Sequence, residues 1–533
     1  MKLQGLKRIF PSWQNALLAV LAAVLLILAF PDFDYWFLAW FALVPLMIAV
    51  MREKASTWRS FISGWIFGTV FFFGTCWWLT FAPITYAGIP PWLAYSGMVF
   101  VALIVGVFPA LFAGILTVLL RKIGSSALLA APFVWVFTEF LRYWIIGNNW
   151  NAIGYSQAFS REMIQFAAYG GVYLVGFAVV LFASFLFWSV ERLFSRDHKA
   201  QTYLIIAAFW IVFAAVTVAI DRGSDPIANP TTSSAAIVAL QPNVPMAGLD
   251  YTKWNVLRQH QVDMAEAELR KLSQQALANN QQRTTNTEQP TLVVMPESPM
   301  NYMYNDDREF QKYINDFTRR NNVSVLFNSA EPDKTNGKYF NSAMMIGADG
   351  KEVAEYDKIY LLPFGEAVPW PLEGILPGFV GNFSYGREYD LLPVGDAKAG
   401  VMICFESHFG QLSRRFVADG ADVLIEMTND GYLGPTPVIR QHLANAVFRA
   451  VETNRPVLRV TNVGTTAYIT EKGEVLDPTS PYQEDTRVWS VSKSDGAQTF
   501  YVRYGDWFAW LCSAVTIGLL IYSWAKTKRK HER

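Results

Sequence analysis

Cysteine and histidine are scarce in this chain, at three and five among 533 residues. Three cysteines cannot build a disulfide framework of the kind that staples small secreted domains. The histidines are scattered and none has H-E-x-x-H spacing, so no metal site is expected. Charge of one sign is also missing. The formal net charge is +0, which gives no reason to expect a nucleic-acid partner. No Gly-rich stretch has phosphate-cradling spacing, and no cofactor is implied. Asp32-Phe33-Asp34 reads as a short turn between apolar segments rather than as a metal motif.

What the chain has in abundance is apolar sequence. Hydrophobic residues make up 52% of it, concentrated in the first two-fifths and in one segment near the C-terminus. Crossing a bilayer core takes about 20 mostly apolar residues. Candidate spans lie at 14–30, 35–51, 61–82, 91–120, 126–146, 172–191, 203–220 and 507–525. The first two are separated only by the Pro31–Asp34 turn, and the spans that follow argue against a cleaved signal peptide.

Basic residues set the orientation. Lys2, Lys7 and Arg8 precede the first span, Arg52, Lys54 and Arg59 follow the second, and Arg121 and Lys122 follow the fourth. Arg192, Arg196 and Lys199 follow the sixth, and Lys526, Lys528, Arg529, Lys530 and Arg533 close the chain. The intervening turns 31–34 and 81–90 carry neither Lys nor Arg. Eight spans with both termini cytoplasmic follow, with the soluble part on the outer side. The expected domains are 1–220 (seven transmembrane helices), 221–506 (an extracytoplasmic α/β domain) and 507–533 (the eighth helix and a basic tail).

Within the soluble part, apolar β-branched runs alternate with amphipathic stretches, as in an α/β domain. Strands are expected at 235–244, 291–295, 323–329, 341–347, 352–357, 400–404, 422–427, 457–463 and 466–470. Helices are expected near 250–278, 307–321, 408–418 and 436–453. Asp349-Gly350 is a hairpin signal, so a purely parallel sheet is not expected. The Gln/Asn/Thr-rich text at 279–290 reads as a loop.

Cys76 and Cys512 fall inside apolar spans, which leaves Cys404 as the one thiol of the soluble part. A lone cysteine is more often structural than reactive. Here it closes the apolar run Gly400–Ile403, and Glu297 ends the run Thr291–Met295 in Met295-Pro296-Glu297-Ser298. Strand ends are where α/β folds gather reactive groups. With Lys358 of Tyr356-Asp357-Lys358, the three supply a nucleophile, a proton acceptor and a cation for a developing oxyanion. That set suits acyl transfer through a thioester. Glu406 is placed to orient the site or to pair with Lys358. A papain-like pairing of Cys404 with His408 or His442 is the competing arrangement, although no papain-type sequence surrounds the cysteine. In the apolar part, Glu139 and Arg142 stand three apart on one helical face, as an ion pair or a lipid-headgroup contact. The aromatic and amide-rich stretch 148–157 is expected at the outer interface.

Met295-Pro296-Glu297-Ser298, Asp357-Lys358, Pro363-Phe364-Gly365-Glu366-x-Val368-Pro369 and Cys404-Phe405-Glu406 resemble the signatures of the nitrilase superfamily. With the eight spans, the chain resembles its membrane branch, the apolipoprotein N-acyltransferases. The likeness extends to Gly64-Trp65-Ile66-Phe67-Gly68, Gly154-Tyr155-Ser156-Gln157, Tyr169-Gly170-Gly171, Gln241-Pro242-Asn243-Val244-Pro245 and Arg449-Ala450-x-Glu452.

The resemblance implies an αββα sandwich with Glu297 as general base, Lys358 as oxyanion partner and Cys404 as nucleophile. Glu366, Glu406 and Phe405 would support them, and Trp254, Tyr432 and Arg449 would bind substrate. It implies a bacterial inner-membrane enzyme, catalytic on the periplasmic side and monomeric. An acyl chain would pass from a phospholipid, typically phosphatidylethanolamine, through Cys404 to the α-amino group of a diacylglyceryl-cysteine lipoprotein. The chain departs from the family at Phe405, where Tyr is frequent, and at Asn429-Asp430-Gly431-Tyr432-Leu433. A membrane-anchored amidase, with water as acceptor, uses the same triad. A transporter or receptor would need no Cys404 and would scatter polar groups along its spans.

Overall fold

The computed structural model describes residues 9–194, 203–212, 215, 234–278, 290–300, 302–363, 365–368 and 383–531. The second half of the expected 203–220 span, most of the 279–290 loop, Phe364, Pro369 and the basic residues Lys2, Lys7, Arg8, Arg196, Lys199 and Arg533 lie outside them. The chain divides into two units, one of 1–226, 436–444 and 504–533 and one of 227–435 and 445–503.

The first unit is helical. Four described stretches are long and apolar enough to cross a membrane: Thr57–Thr85, Pro91–Ile146, Ala167–Phe194 and Trp507–Lys526. Trp13–Ala29, Trp36–Arg52 and Tyr203–Val212 are shorter apolar helices. The Pro91–Ile146 stretch holds helices Pro91–Val105, Val107–Ile123 and Ala131–Ile146.

Gly64 and Gly68 explain one of the sequence motifs. A Cβ at Gly64 would stand 2.5 Å from the Pro109 carbonyl oxygen, and one at Gly68 would stand 2.8 Å from Gly106 Cα. The missing side chains let the Thr57–Cys76 helix approach the backbone of 106–110 closely, as small residues do between membrane helices. Gly64→Leu is therefore expected to cost about 1–3 kcal/mol through overpacking, seen as a lower unfolding midpoint of the detergent-solubilised protein.

Glu139 and Arg142 are both buried, yet each is engaged with backbone. Glu139 Oε1 accepts from Ile153 N at 2.8 Å, and Arg142 donates to the carbonyls of Trp150 (2.9 Å) and Asn149 (3.2 Å) while its guanidinium lies 4.8 Å over the Phe72 ring. They shape the 149–153 segment, which the sequence placed at an interface but did not connect to them. In the same unit the buried Gln441 Oε1 accepts from the indoles of Trp78 and Trp150, and its amide donates to the Thr75 and Pro31 carbonyls.

The second unit contains two six-stranded sheets. The strands are β1 (Ala235–Gln241), β2 (Thr291–Val294), β3 (Ser324–Asp333), β4 (Lys338–Ile346), β5 (Glu352–Asp357), β6 (Leu391–Val394), β7 (Ala397–Ile403), β8 (Val423–Thr428), β9 (Val457–Thr461), β10 (Ala467–Ile469), β11 (Val475–Leu476) and β12 (Asp485–Val491). One sheet runs β12-β1-β2-β3-β4-β5 and the other β11-β10-β9-β8-β7-β6. In each, three central strands are parallel, β1-β2-β3 and β7-β8-β9, and the flanking pairs are antiparallel. The two parallel cores put the C-terminal ends of β2 and β7 at a site, because ligands gather outside carboxyl ends in such sheets.

The helix Arg308–Asn321 shows how local sequence builds this unit. Asp307 caps it by accepting from Glu309 N and Phe310 N, and Asn322 closes it in the left-handed region. Phe310, Ile314 and Phe317 fall on one face and pack with Val293, Val325 and Phe327 of the sheet.

Three strands were not expected from the sequence. β6 and β11 are short, and β12 (Asp-Thr-Arg-Val-Trp-Ser-Val) buries only Trp489 and Val491. β6 and β11 are too short to show a period and pair in hairpins with β7 and β10, whereas β12 pairs with the distant β1. β3 is also longer than the 323–329 run, because it continues through a second hairpin into β4.

Candidate active site

Glu297 follows β2 and Cys404 follows β7, each at the carboxyl end of a parallel strand. Lys358 follows β5, where its backbone N–H donates to the Asn341 carbonyl at 2.9 Å. The fold brings Glu297, Lys358, Glu366 and Cys404 together. Lys358 Nζ lies 2.8 Å from Glu366 Oε1 and 3.8 Å from Glu297 Oε1, and its side chain is 1% exposed. The Cys404 thiol donates to the Glu297 carboxylate. Cys404 is partly exposed, whereas Cys76 and Cys512 are buried.

Cys404 has φ +54, a left-handed conformation rare for a residue with a side chain. Such backbone costs about 1–3 kcal/mol and persists where its surroundings enforce it. Here β7 ends and the turn Cys404–His408 begins, so the thiol projects from a sharp corner. Glu406 enforces that corner. Its carboxylate is fully buried; Oε2 accepts from Ile403 N at 2.8 Å, and Oε1 accepts from Ile359 N, Tyr360 N and Tyr356 Oη at 2.7, 3.0 and 2.8 Å. One carboxylate thereby ties the residue before Cys404 to the segment that follows Lys358.

The electrostatics decide the resting protonation. Burial, then the Glu297 charge, hold the Cys404 thiol well above its ordinary range, with Lys358 opposing. Burial raises Glu297 too, against the pull of Lys358. For Lys358, burial works against the charge, but Glu366 and Glu297 outweigh it and its pKa is raised. Burial also pushes Glu406 up to about 7, against its four donors and Lys358. The thiol is thus held in its neutral form beside Glu297 and the Lys358 ammonium.

Glu366 is fixed by three donors: Lys358 Nζ and Asn341 Nδ2 on Oε1, and Leu362 N on Oε2. The Phe405 ring stands 5.8 Å from His408 and 5.2 Å from Phe409 in centroid distance. His408 therefore packs along the turn, and His442, beside Trp150, belongs to the helical unit.

The three expected substrate-binding residues are dispersed. Trp254 donates to the Met300 carbonyl at 2.7 Å and packs on Tyr302 and Phe310, so it braces the segment after Glu297. Tyr432 is 47% exposed in the turn Asp430–Leu433. Arg449 is 1% exposed, donates to the His408 carbonyl at 2.8 Å and pairs with Glu452 at 2.7 Å. Its guanidinium thus braces the turn that follows Cys404.

Asn341 escaped the sequence reading. Its Nδ2 donates to Glu297 Oε1 at 3.1 Å and to Glu366 Oε1 at 2.6 Å. A signal was present: Phe-Asn-Ser-Ala occurs twice, at 327–330 and 340–343, and the two copies pair antiparallel, with Ser329 opposite Ser342. Asparagine is disfavoured inside strands, so a repeated strand Asn marks a polar demand.

Among the described residues no group of His, Cys, Asp and Glu could hold a metal ion. The two sheets with a cysteine–glutamate–lysine cluster at their strand ends define a nitrilase-type enzyme domain. Residues 234–500 match the carbon-nitrogen hydrolase family, and residues 22–185 match the apolipoprotein N-acyltransferase N-terminal domain. The apolipoprotein N-acyltransferase of Geobacter metallireducens is 31% identical over 94% of each chain, and that of Thermotoga maritima is 28% identical over 93% of this chain and 91% of its own. A solved carbon-nitrogen hydrolase from Helicobacter pylori G27 is 18% identical over 48% of this chain and 89% of its own, with TM-score 0.37. The chain belongs to the apolipoprotein N-acyltransferase family. It is a membrane protein and an acyltransferase.

Proposed function

We propose that this enzyme moves a fatty acyl chain from a phospholipid, through a thioester on Cys404, to the α-amino group of a lipoprotein's diacylglyceryl cysteine. The observation that carries the reading is the thiol of Cys404 bonded to Glu297 beside the paired Lys358 ammonium. In the first half-reaction the sulfur attacks the ester carbonyl while its proton passes to Glu297. Lys358 faces the oxyanion, aided by the backbone N–H after Cys404. Collapse breaks the acyl C–O bond, and Glu297 returns the proton to the lysophospholipid hydroxyl. In the second, the lipoprotein amine attacks the thioester carbonyl, Glu297 takes the amine proton, the C–S bond breaks, and the proton returns to sulfur. The exchange is ping-pong.

Phosphatidylethanolamine is the expected donor, and one copy of the chain suffices. The topology that fits has eight spans, with residues 1–220 and 507–533 in the bacterial inner membrane and 221–506 on the periplasmic side. Both substrates are then held in the same bilayer as the site. Purified enzyme incubated with phospholipid is expected to gain one fatty-acyl mass on Cys404, and Cys404→Ala is expected to gain none. Release of free fatty acid with no stable adduct and no transfer to a diacylglyceryl peptide would instead favour the amidase reading. Full transfer activity in Cys404→Ala would sink both.

A further inference from the structure

Glu297, Lys358 and Glu366 share a buried space, and something must settle which carboxylate keeps its charge. We propose that Asn341 is a positioning residue that holds Glu297 ionised in the resting enzyme, with its orientation set by Asn328. The proposal rests on the acyl-transfer reading, in which Glu297 must accept the thiol proton.

The geometry runs outward from the backbone. Asn328 Nδ2 donates to the Ser342 carbonyl at 3.1 Å, and a carbonyl can only accept, so the Asn328 amide has a defined facing. The same Nδ2 donates to Asn341 Oδ1 at 2.6 Å. That bond turns the Asn341 oxygen toward Asn328 and leaves its Nδ2 for the carboxylates, at 3.1 Å from Glu297 and 2.6 Å from Glu366. Asn341 and Asn328 share one face of the β3–β4 pair, because Asn341 lies opposite Ala330 and Asn328 lies opposite Ala343. Both are nearly buried, at 7% and 8% exposure, so water does not substitute for the relay.

Asn341 acts twice: its carbonyl also receives Lys358 N–H, so one residue fixes the ammonium's backbone and spans the carboxylates on either side of it. An ionised carboxylate accepts both N–H bonds and the thiol, whereas a protonated one must give up an acceptor site. The groups facing Glu297 are Lys358, Glu366, Asn341 and Cys404. Of these, Lys358 alone carries positive charge, and Glu366 takes its closer contact. The amide on Glu297 lowers that carboxyl's pKa, in opposition to burial and to Glu366.

The test is the pH dependence of single-turnover Cys404 acylation by phospholipid, read by mass, for the full-length enzyme in detergent. Asn341→Leu keeps the backbone carbonyl on Lys358 and removes the donor. The acid limb of its profile is expected to rise by about one pH unit, the worth of one hydrogen bond to a charge. Asn328→Asp touches neither carboxylate. It presents only acceptors to Asn341, which turns the amide around and aims its oxygen at Glu297 and Glu366. The acid limb is expected to move the same way.

If both variants acylate more slowly with an unmoved limb, Asn341 is structural and the proposal falls while the acyl-transfer reading stands. A limb that moves in Asn341→Leu but not in Asn328→Asp overturns the relay. Wild-type enzyme that takes no acyl group on Cys404 removes the reading itself.

Discussion

Lys358→Met is expected to stop acyl transfer and to destabilise the domain. Lys358 is the buried cation between two mostly buried carboxylates, 2.8 Å from Glu366 and 3.8 Å from Glu297. Removing a preorganised donor that faces an oxyanion costs about a hundred- to a thousandfold in rate. Loss of one partner from a buried charge cluster costs a further 3–5 kcal/mol or so in stability. The two carboxylates then respond as a pair: like charges this close cannot both ionise, and one proton is taken up between them.

The sign of the stability change follows. The folded variant holds a proton that the unfolded chain releases near pH 4.3, the ordinary glutamate value of about that size. Its stability is therefore greatest in acid and falls as pH rises through the raised pKa of the pair. Thermal unfolding of the variant in detergent from pH 5 to 8 should show a midpoint that drops with pH more steeply than in the wild type. A variant as stable as the wild type across that range would mean that the carboxylates reach water when the ammonium is gone. A variant that still acylates Cys404 at the wild-type rate would take Lys358 out of the reaction.

Much of this site was legible because its parts sit at the ends of apolar runs. Thr291–Met295 and Gly400–Ile403 are buried strands by composition, and the polar residue that ends each one is where a parallel sheet opens. Glu297 and Cys404 follow from that argument without knowledge of the pairing. Lys358 was marked by its motif alone, since a lysine after a polar strand is ordinarily solvated. Asn341 was not found because its role depends on cross-strand register, which places it beside residues 44 and 25 positions away. The partners of Arg449 were hidden for a related reason. The motif Arg449-Ala450-x-Glu452 does not show in sequence that the arginine bonds to the His408 carbonyl and to Glu452, which only the fold reveals. In the helical unit, charge spacing left Glu139 and Arg142 as an ion pair or a lipid-headgroup contact. Backbone groups at 149–153 bond to each of them, because a buried segment must satisfy its N–H and C=O groups.

Glu406→Ala is expected to lower the acylation rate about a hundredfold without removing any group that touches substrate. The four bonds to this carboxylate come from two segments, Ile403 on one side and Tyr356, Ile359 and Tyr360 on the other. Together they fix the distance between the nucleophile's corner and the ammonium. The strained φ of Cys404 relaxes if the clamp is cut, and a misplacement of about 1 Å at a reacting atom costs that much in rate. Each buried donor left without an acceptor adds about 1–3 kcal/mol of instability.

Glu406→Gln separates orientation from charge. It keeps one oxygen for three donors but turns an N–H₂ toward Ile403 N–H, so the corner still loosens and acylation still falls. Its effect on pH is different. Wild-type Glu406 rises from 4.5 to about 7 in the fold, so the folded state prefers the neutral carboxyl and stability declines as pH climbs between those values. Gln has no proton to lose, so that decline is expected to flatten in the variant. A Glu406→Ala enzyme that acylates Cys404 at full rate would leave the left-handed cysteine without the restraint that the fold provides for it. A Glu406→Gln enzyme whose midpoint follows the wild-type pH curve would assign the decline to another buried acid, with Glu355, also raised to about 7 by burial and its acidic neighbours, as the group to change next.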